Sequence, residues 1–540
     1  MSTETSYDRG PSEPALLEET IGENFEATVR AHPDAEALVE VASGRRWTWT
    51  ELDADVDALA RGLIGAGLER GDRVGVWAPN CAEWTIAQYA TAKTGVVLVN
   101  VNPAYRTHEL AYAVNQSGMR LLLAASSFKT SDYRGMVEQV RGECPALERA
   151  VFVDTDDWDA LLAEGAGVPA GAVAERMATL DARDPINIQY TSGTTGRPKG
   201  ATLSHRNILN NGFFTTELIH LGPEDRLCIP VPFYHCFGMV MANLGCTSHG
   251  TTMVIPAPGF DPEATLRAIV DERCTGVYGV PTMFIAMQNH PTFAEHDLSS
   301  LRTGIMAGSI CPVEVMKRCI AEMNMSEVAI AYGMTETSPV SCQTRADDDL
   351  DRRTASIGRV HPHLEIKVVD PATGETVGRG TTGELCTRGY SVMLGYWEEP
   401  EKTAEAIDAD GWMHTGDLAE MRPDGYCNIV GRIKDLVIRG GENVYPREVE
   451  DFLYTHPDIE DVQVIGVPDE KYGEELCAWI KMKAGTEPLD TAAVRAFCDG
   501  RLAHFKVPRY VMVVEEFPMT VTGKVRKVEM RETTATRLGL

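Results

Sequence analysis

Short apolar runs alternate with longer stretches of mixed polarity along the first half of the chain. Val74, Val76 and Trp77 follow Arg73 as one such run, and Val96, Val97, Leu98 and Val99 form another. Runs of this length read as strands buried on both faces, and the segment between them predicts a helix over 82–94. Strand, helix and strand at this spacing make a β-α-β unit, so a parallel sheet is expected. The pattern continues at 227–230, 252–255 and 276–280, with helical patterns between, and Ile186, Asn187, Ile188 and Gln189 give one more strand-like run. Residues 1–15 read as a disordered tail. Residues 154–184, rich in Ala, Gly and Asp, read as a connecting segment. No internal repeat is found.

A second series begins near Arg432. Pro446 suits the first turn of a helix over 447–455. Strands are expected at 462–467, 477–483 and 510–515, with a helix over 491–502. About a hundred residues suffice for a small α/β lid. The boundary falls at Gly431-Arg432-Ile433-Lys434-Asp435.

Length and charge narrow the picture. A chain of 540 residues exceeds what one core organises, so at least two domains are expected. The net charge of −29 argues against nucleic acid as a partner, which would need a basic face. No apolar run reaches a membrane span, and the polar start lacks the core of a signal peptide. Thirteen cysteines lie scattered without a Cys-x-x-Cys pair, an odd number that closes no disulfide framework. Reduced thiols, no structural zinc and a cytoplasmic location are the expectation. The charge balance reverses only at the end, where residues 501–540 carry eight Lys/Arg against four Asp/Glu.

Candidate chemistry is densest in Tyr190-Thr191-Ser192-Gly193-Thr194-Thr195-Gly196-Arg197-Pro198-Lys199-Gly200, which holds three glycines, four aliphatic hydroxyls and two cations. Glycines turn backbone N–H groups inward, hydroxyls add donors and Lys adds charge, which together suit a polyphosphate. The spacing is not that of the P-loop hydrolases. Alone, such a stretch between a strand and a helix is more often a solvated loop. Further on, Tyr332-Gly333-Met334-Thr335-Glu336-Thr337 sets an aromatic face, a hydroxyl and a carboxylate after Ile330-Ala331. These suit adenine, a phosphate and Mg²⁺, which prefers oxygen ligands; alone they also fit a turn with a helix cap. In Trp412-Met413-His414-Thr415-Gly416-Asp417 a carboxylate follows a Gly turn, as a group accepting two ribose hydroxyls would.

Five blocks, at 191–200, 332–336, 415–417, 431–442 and 518–524, occur in the order and spacing of one family. From about Leu16 onward the chain resembles the adenylate-forming superfamily of acyl-CoA synthetases, peptide-synthetase adenylation domains and beetle luciferases. The strings at 186–211, 389–397 and 438–446 fit its medium-chain fatty-acyl-CoA synthetases best. The resemblance implies an α/β fold. A large N-terminal domain over 16–431 would combine parallel-sheet αβ subdomains with a β-barrel-like part. A hinge at 432–434 would lead to a small mobile α+β lid over 435–540.

The resemblance also implies roles. Thr191, Ser192, Gly193, Thr194, Thr195 and Lys199 would grip the β and γ phosphates of ATP, with Gly308 and Ser309 lining the nucleotide and Tyr332 stacking on adenine. Thr335 would contact the α-phosphate and Glu336 would bind Mg²⁺, while Asp417 and Arg432 would hold the ribose. Lys524 would reach in from the lid and stabilise the charge that builds when a carboxylate attacks phosphorus. Lys434 matches the hinge, and Gly440, Gly441 and Glu442 would border the pantetheine of CoA, where paired Gly allows close approach. His235 matches the histidine beside the substrate carboxylate.

The acyl pocket is expected from 232–239, 278–282 and 304–307. No carboxylate occurs between Pro232 and Leu244, so an ammonium there would be unpaired at high cost, and an apolar acid is favoured. The expected enzyme is an AMP-forming carboxylic acid–CoA ligase acting on a small-molecule acid with ATP, Mg²⁺ and CoA. Open alternatives are an aryl or pathway-specific acid, a carrier-protein thiol as acceptor, the light-emitting branch, and an inactive nucleotide-binding scaffold. A homodimer is compatible with all of them.

Overall fold

The structure, a computed structural model, describes residues 4–191, 198–309, 311–440, 442–519 and 525–540. The chain divides into two compact units, one of Asp8–Ile366 with Thr387–Met413, the other of Met1–Tyr7 with Lys367–Cys386 and His414–Leu540. The boundary expected at 431–435 lies within the second of these.

Two sheets organise the larger unit. The nine-stranded sheet runs Arg359–Val360, Val340–Gln343, Glu327–Gly333, Thr303–Ala307, Gly276–Gly279, Arg226–Cys228, Thr252–Ile255, Glu36–Glu40 and Arg45–Thr48. Its middle strands are all parallel, from Glu327–Gly333 through Glu36–Glu40. The seven-stranded sheet runs Gly395–Tyr396, Lys199–Ser204, Pro185–Thr191, Val97–Asn100, Arg73–Trp77, Leu121–Ala124 and Arg149–Phe152. It is parallel from Pro185–Thr191 onward. The helix Ala82–Thr94 has the expected bounds. Every one of its residues except Glu83 is buried, which explains its lack of a polar stripe. Even Lys93 is buried, its ammonium held by Asp53 at 2.6 Å and Asp57 at 2.7 Å.

Three expectations need correction. Residues 154–184 are not a plain connection but carry the helices Asp156–Glu164 and Ala172–Met177. The Asp residues that resembled turn formers fill the first helical turn behind the N-cap Thr155, where negative charge suits the helix dipole. Gly62 and Gly65 let this helix approach closely, since a Cβ on either would stand 2.6 and 2.4 Å from the carbonyl oxygens of Leu161 and Glu164. Within 1–15, the strand Tyr7–Arg9 replaces disorder, and Ser6 exchanges backbone hydrogen bonds with Val368 and Val377 at 2.8 Å. Finally, the segment after Thr191 leads to a strand, Lys199–Ser204, not to a helix.

The smaller unit holds most of a five-stranded sheet, in the order Tyr7–Arg9, Leu364–Val369, Gly383–Gly389, Met413–Met421 and Cys427–Arg432. A second five-stranded sheet includes Glu442–Val444, Val437–Arg439, Gly473–Met482, Ile459–Asp469 and Tyr510–Val513. The helices Pro446–Leu453 and Thr491–Cys498 appear where expected, ending two and four residues early at their C-terminal ends. All thirteen cysteines are free thiols. Among the described residues no helix is long and apolar enough to cross a membrane.

One buried histidine gives the fold a pH dependence. His205 Nδ1 accepts the Ile21 N–H at 3.2 Å, while its Nε2 has no hydrogen-bond partner among the described residues. Burial pushes its pKa down to about 4; the carboxylates of Asp184 and Asp181 offset part of that, and Arg70 adds to it. The unfolded value is about 6.5, so the unfolded chain binds the extra proton in between. The stabilisation is complete above that value and is lost as pH falls toward 4. His205→Gln is expected to flatten the fall of unfolding free energy across this window by up to one proton. Urea titrations at stepped pH would read the slope, and an unchanged slope would clear His205 of the role.

Candidate active site

Parallel strands place loops at their carboxyl ends, where ligands of open α/β sheets bind. Thr303–Ala307 and Glu327–Gly333 are paired in parallel with Ala307 opposite Ala331. Gly308 and Ser309 therefore leave the sheet beside Tyr332, and Thr335 and Glu336 follow in a single 3₁₀ turn. Gly308 adopts φ +90°, with Val280 Cγ1 3.1 Å from where a Cβ would sit, so a larger residue there would be strained. Gly308 and Ser309 are exposed.

Glu336 is buried, and among the described residues it forms no salt bridge. Its Oε1 accepts the hydroxyl of Tyr396 at 2.8 Å. A carboxylate withdrawn from water without a cation is costly, and a divalent ion that takes one carboxylate plus phosphates and waters completes such a group. Glu336 thus fits the metal expected of it. The ring of Tyr396 meets the Lys199 ammonium 4.2 Å from its centroid. Thr191 and Lys199 face each other across the antiparallel pair Pro185–Thr191 and Lys199–Ser204. Ser192, Gly193, Thr194 and Thr195 lie outside the described residues.

The expected acyl block has its own local order. Residues Phe237–Leu244 wind as a π-helix with every residue buried, a form that recurs at functional sites. The Phe237 ring stacks on Tyr278 with centroids 5.6 Å apart, joining the blocks at 232–239 and 278–282. His235 Nδ1 receives the Phe237 N–H at 3.2 Å, and Cys236 Sγ lies 3.7 Å from that nitrogen and 4.0 Å from Thr335 Oγ1. His235 and Thr335, distant in sequence, are thus one thiol apart.

In the smaller unit, Asp417 and Arg432 are direct partners in the pair Met413–Met421 and Cys427–Arg432, joined from Arg432 Nε to Asp417 Oδ1 at 2.8 Å. A network fixes the turn before Asp417. Glu384 Oε1 accepts the Gly416 N–H at 3.0 Å, Glu384 Oε2 meets His414 Nδ1 at 2.8 Å, and Thr415 Oγ1 donates to the Leu385 carbonyl at 2.6 Å. Glu384, Cys386 and His414 bring a ligand atom each within 4.8 Å of one another. The Glu384–His414 bond and the 3.5 Å contact of Cys386 Sγ with His414 Nδ1 account for that closeness.

Lys434 is exposed on the 3₁₀ turn Ile433–Asp435. Gly440, at φ +62°, donates its N–H to the Tyr472 carbonyl at 2.8 Å beside the paired Arg439 and Glu442. Arg439 grips the buried Glu475 through two bonds of 2.7 Å. Gly441 and Lys524 lie outside the described residues.

Tyr396 and Glu384 were not singled out from the sequence. The strand Gly395–Tyr396 is two residues long, too short for any periodicity to mark it. Glu384 follows a glycine at a strand start, and only the pairing of distant strands gives it a role.

A family model described as AMP-binding enzyme matches residues 25–397, and one described as AMP-binding enzyme C-terminal domain matches residues 448–524. The chain belongs to this AMP-binding enzyme family. It is 47% identical to a putative acyl-CoA synthetase, YngI, of Bacillus subtilis, over 96% of this chain and 98% of that one. It is 46% identical to the mitochondrial medium-chain acyl-CoA ligase ACSF2 of Danio rerio, over 99% and 92% of the two chains. Among solved structures, the anthranilate CoA ligase AuaEII in complex with anthranoyl-AMP superposes with a TM-score of 0.85 at 25% identity, covering 98% of this chain and all of that one.

Glu384→Ala would strand the Gly416 N–H and remove the bond to His414. A loss of about 1–3 kcal/mol is expected, read as a lower urea midpoint at unchanged m-value; an unchanged midpoint would mean that the network carries no stability.

Proposed function

We propose that the chain activates an apolar, medium-chain fatty carboxylic acid with ATP and Mg²⁺ and transfers the acyl group to CoA. The observation that carries this reading is the buried Glu336 carboxylate, without an ion pair among the described residues, next to the adenine- and phosphate-binding candidates at the carboxyl ends of the parallel strands. The substrate carboxylate oxygen attacks the α-phosphorus of ATP, the bond to the bridging oxygen breaks, and pyrophosphate leaves. The CoA sulfur then attacks the acyl carbon, its proton is released, and AMP departs.

Each residue has a physical task. Thr191, Ser192, Gly193, Thr194, Thr195 and Lys199 bind the terminal phosphates, and Thr335 binds the α-phosphate. Tyr332 offers its face to adenine, with Gly308 and Ser309 alongside. Glu336 holds Mg²⁺, which when bound neutralises phosphate charge. Asp417, oriented by Arg432, takes the ribose hydroxyls, and His235 stands beside the substrate carboxylate. Lys524 stabilises the charge that builds at phosphorus. Residues 432–434 act as the hinge of a lid over 435–540, with Lys434 at the hinge position, and Gly440, Gly441 and Glu442 line the pantetheine path.

Apolar specificity is supported by the block 232–244, which holds no carboxylate, and by the stacked Phe237 and Tyr278. Similarity to a medium-chain ligase at 46% identity supports a fatty acid. An aryl acid is the second reading, favoured by the likeness to AuaEII.

Pyrophosphate release with ATP, Mg²⁺ and straight-chain, branched and aryl acids, each with and without CoA, tests the function. CoA-dependent turnover peaking at a medium straight chain is expected, and a peak on aryl acids would transfer the assignment to the second reading. Release that ignores CoA would move the acceptor to another thiol, such as that of a carrier protein. Lys524→Ala is expected to slow adenylation by about a hundred-fold or more while thioester formation from preformed acyl-adenylate survives. Equal loss of both steps would refute the role given to Lys524.

A further inference from the structure

Tyr396 sits where two groups of the nucleotide site meet, and nothing in the family-level reading gives it a task. It is buried on the two-residue edge strand Gly395–Tyr396 of the seven-stranded sheet, opposite Ala201 on the strand that begins with Lys199. Backbone bonds lock the surrounding segment to both sides. Leu394 N–H donates to the Thr202 carbonyl at 2.9 Å and Trp397 N–H to the Gly200 carbonyl at 2.7 Å, while Met393 N–H donates to the Glu336 carbonyl at 2.9 Å. Gly395, at φ +145°, makes the bend, and Tyr396 N–H donates to Thr403 Oγ1 at 2.9 Å.

We infer that Tyr396 is a positioning residue for the nucleotide site, its hydroxyl orienting the Glu336 carboxylate toward the metal ion and its ring face seating the Lys199 ammonium. This rests on the ligase reading above. The side chain divides its work by chemistry. The phenol hydroxyl engages Glu336 Oε1 at 2.8 Å, and among the described residues Oε2 makes no hydrogen bond, so one oxygen is fixed and the other is presented. The ring's negative face meets the Lys199 cation at 4.2 Å, which restrains a long, flexible side chain at the mouth of the phosphate loop without consuming its N–H donors on a carboxylate. Direct pairing of Lys199 with Glu336 would instead neutralise both groups before ATP and the metal arrived. An aromatic spacer keeps them apart.

The two halves of the side chain can be removed separately. Tyr396→Phe keeps the ring and loses the bond to Glu336; Tyr396→Leu loses both. Mn²⁺ serves as the probe, with free Mn²⁺ read by electron paramagnetic resonance in the presence of a non-hydrolysable ATP analogue. Tyr396→Phe is expected to weaken Mn²⁺ binding about ten-fold and to raise the Mg²⁺ concentration for half-maximal pyrophosphate release by a similar factor. Its kcat at saturating Mg²⁺ and its KM for ATP should stay near wild type. Tyr396→Leu should in addition raise the KM for ATP about two- to five-fold. A purely structural tyrosine would lower the thermal midpoint of both variants and leave the metal titration of Tyr396→Phe unmoved. An active Tyr396→Phe enzyme with wild-type Mn²⁺ binding and Mg²⁺ dependence overturns the positioning role alone. A wild type that releases pyrophosphate with no acid overturns the ligase reading and this inference with it.

Discussion

A carboxylate buried without a counter-charge among the described residues is the constraint on which the candidate nucleotide site depends. Taking a charged group out of water costs several kcal/mol unless hydrogen bonds or a cation replace the lost solvation. Among the described residues the Glu336 side chain receives one hydrogen bond, from Tyr396, and its backbone carbonyl is tied to Met393. Among the described residues, the fold therefore holds an anion that no cation neutralises. Stability is lower than an apolar residue would give, and under the proposed function the return is a seat for a cation.

Net charge makes that local arrangement matter. At −29 the protein repels ATP at long range, so any attraction must come from a few cations and backbone donors close to the phosphates. Lys199 is the candidate for one such cation, and among the described residues it meets an aromatic ring and no acid, which leaves its charge available. Many other cations are spent on ion pairs. Arg45 serves Glu40 and Glu83, Arg226 serves Glu36 and Glu272, and Arg439 serves Glu475. Those arginines stitch surfaces together and have little charge left over for a ligand.

What the sequence made legible follows from range. The helix Ala82–Thr94 and the strand Thr252–Ile255 have the bounds expected of them because each is a single run with local end signals. The parallel sheet followed from the order of such runs. The Asp-rich segment misled because Asp favours both turns and first helical turns, and only close packing on Gly62 and Gly65 decides for the helix Asp156–Glu164. The hairpin after Thr191 was missed because its second strand announces itself through pairing with Pro185–Thr191. At the candidate site, Glu336, Asp417 and Arg432 stand out through the order of motifs shared with the family, and strand register explains why Asp417 and Arg432 pair. Tyr396, Glu384 and the contact of Cys236 with Thr335 were not legible, since each joins segments 30 to 99 residues apart.

The same logic of fixing one atom and freeing another recurs in the smaller unit. Glu384 spends one oxygen on the Gly416 N–H and the other on His414, so the turn carrying Asp417 is set by a side chain that never needs to touch a ligand. Arg439 spends its guanidinium on Glu475 and so holds Gly440 at the tip of its hairpin, where the Tyr472 carbonyl takes its N–H. A glycine in a left-handed conformation would ordinarily be a source of looseness. Here its N–H is tied to the Tyr472 carbonyl, which suits the proposed role of a backbone beside a slender chain. Rigid supports beneath exposed, small or singly bonded groups let both units carry reactive side chains without sacrificing their own packing.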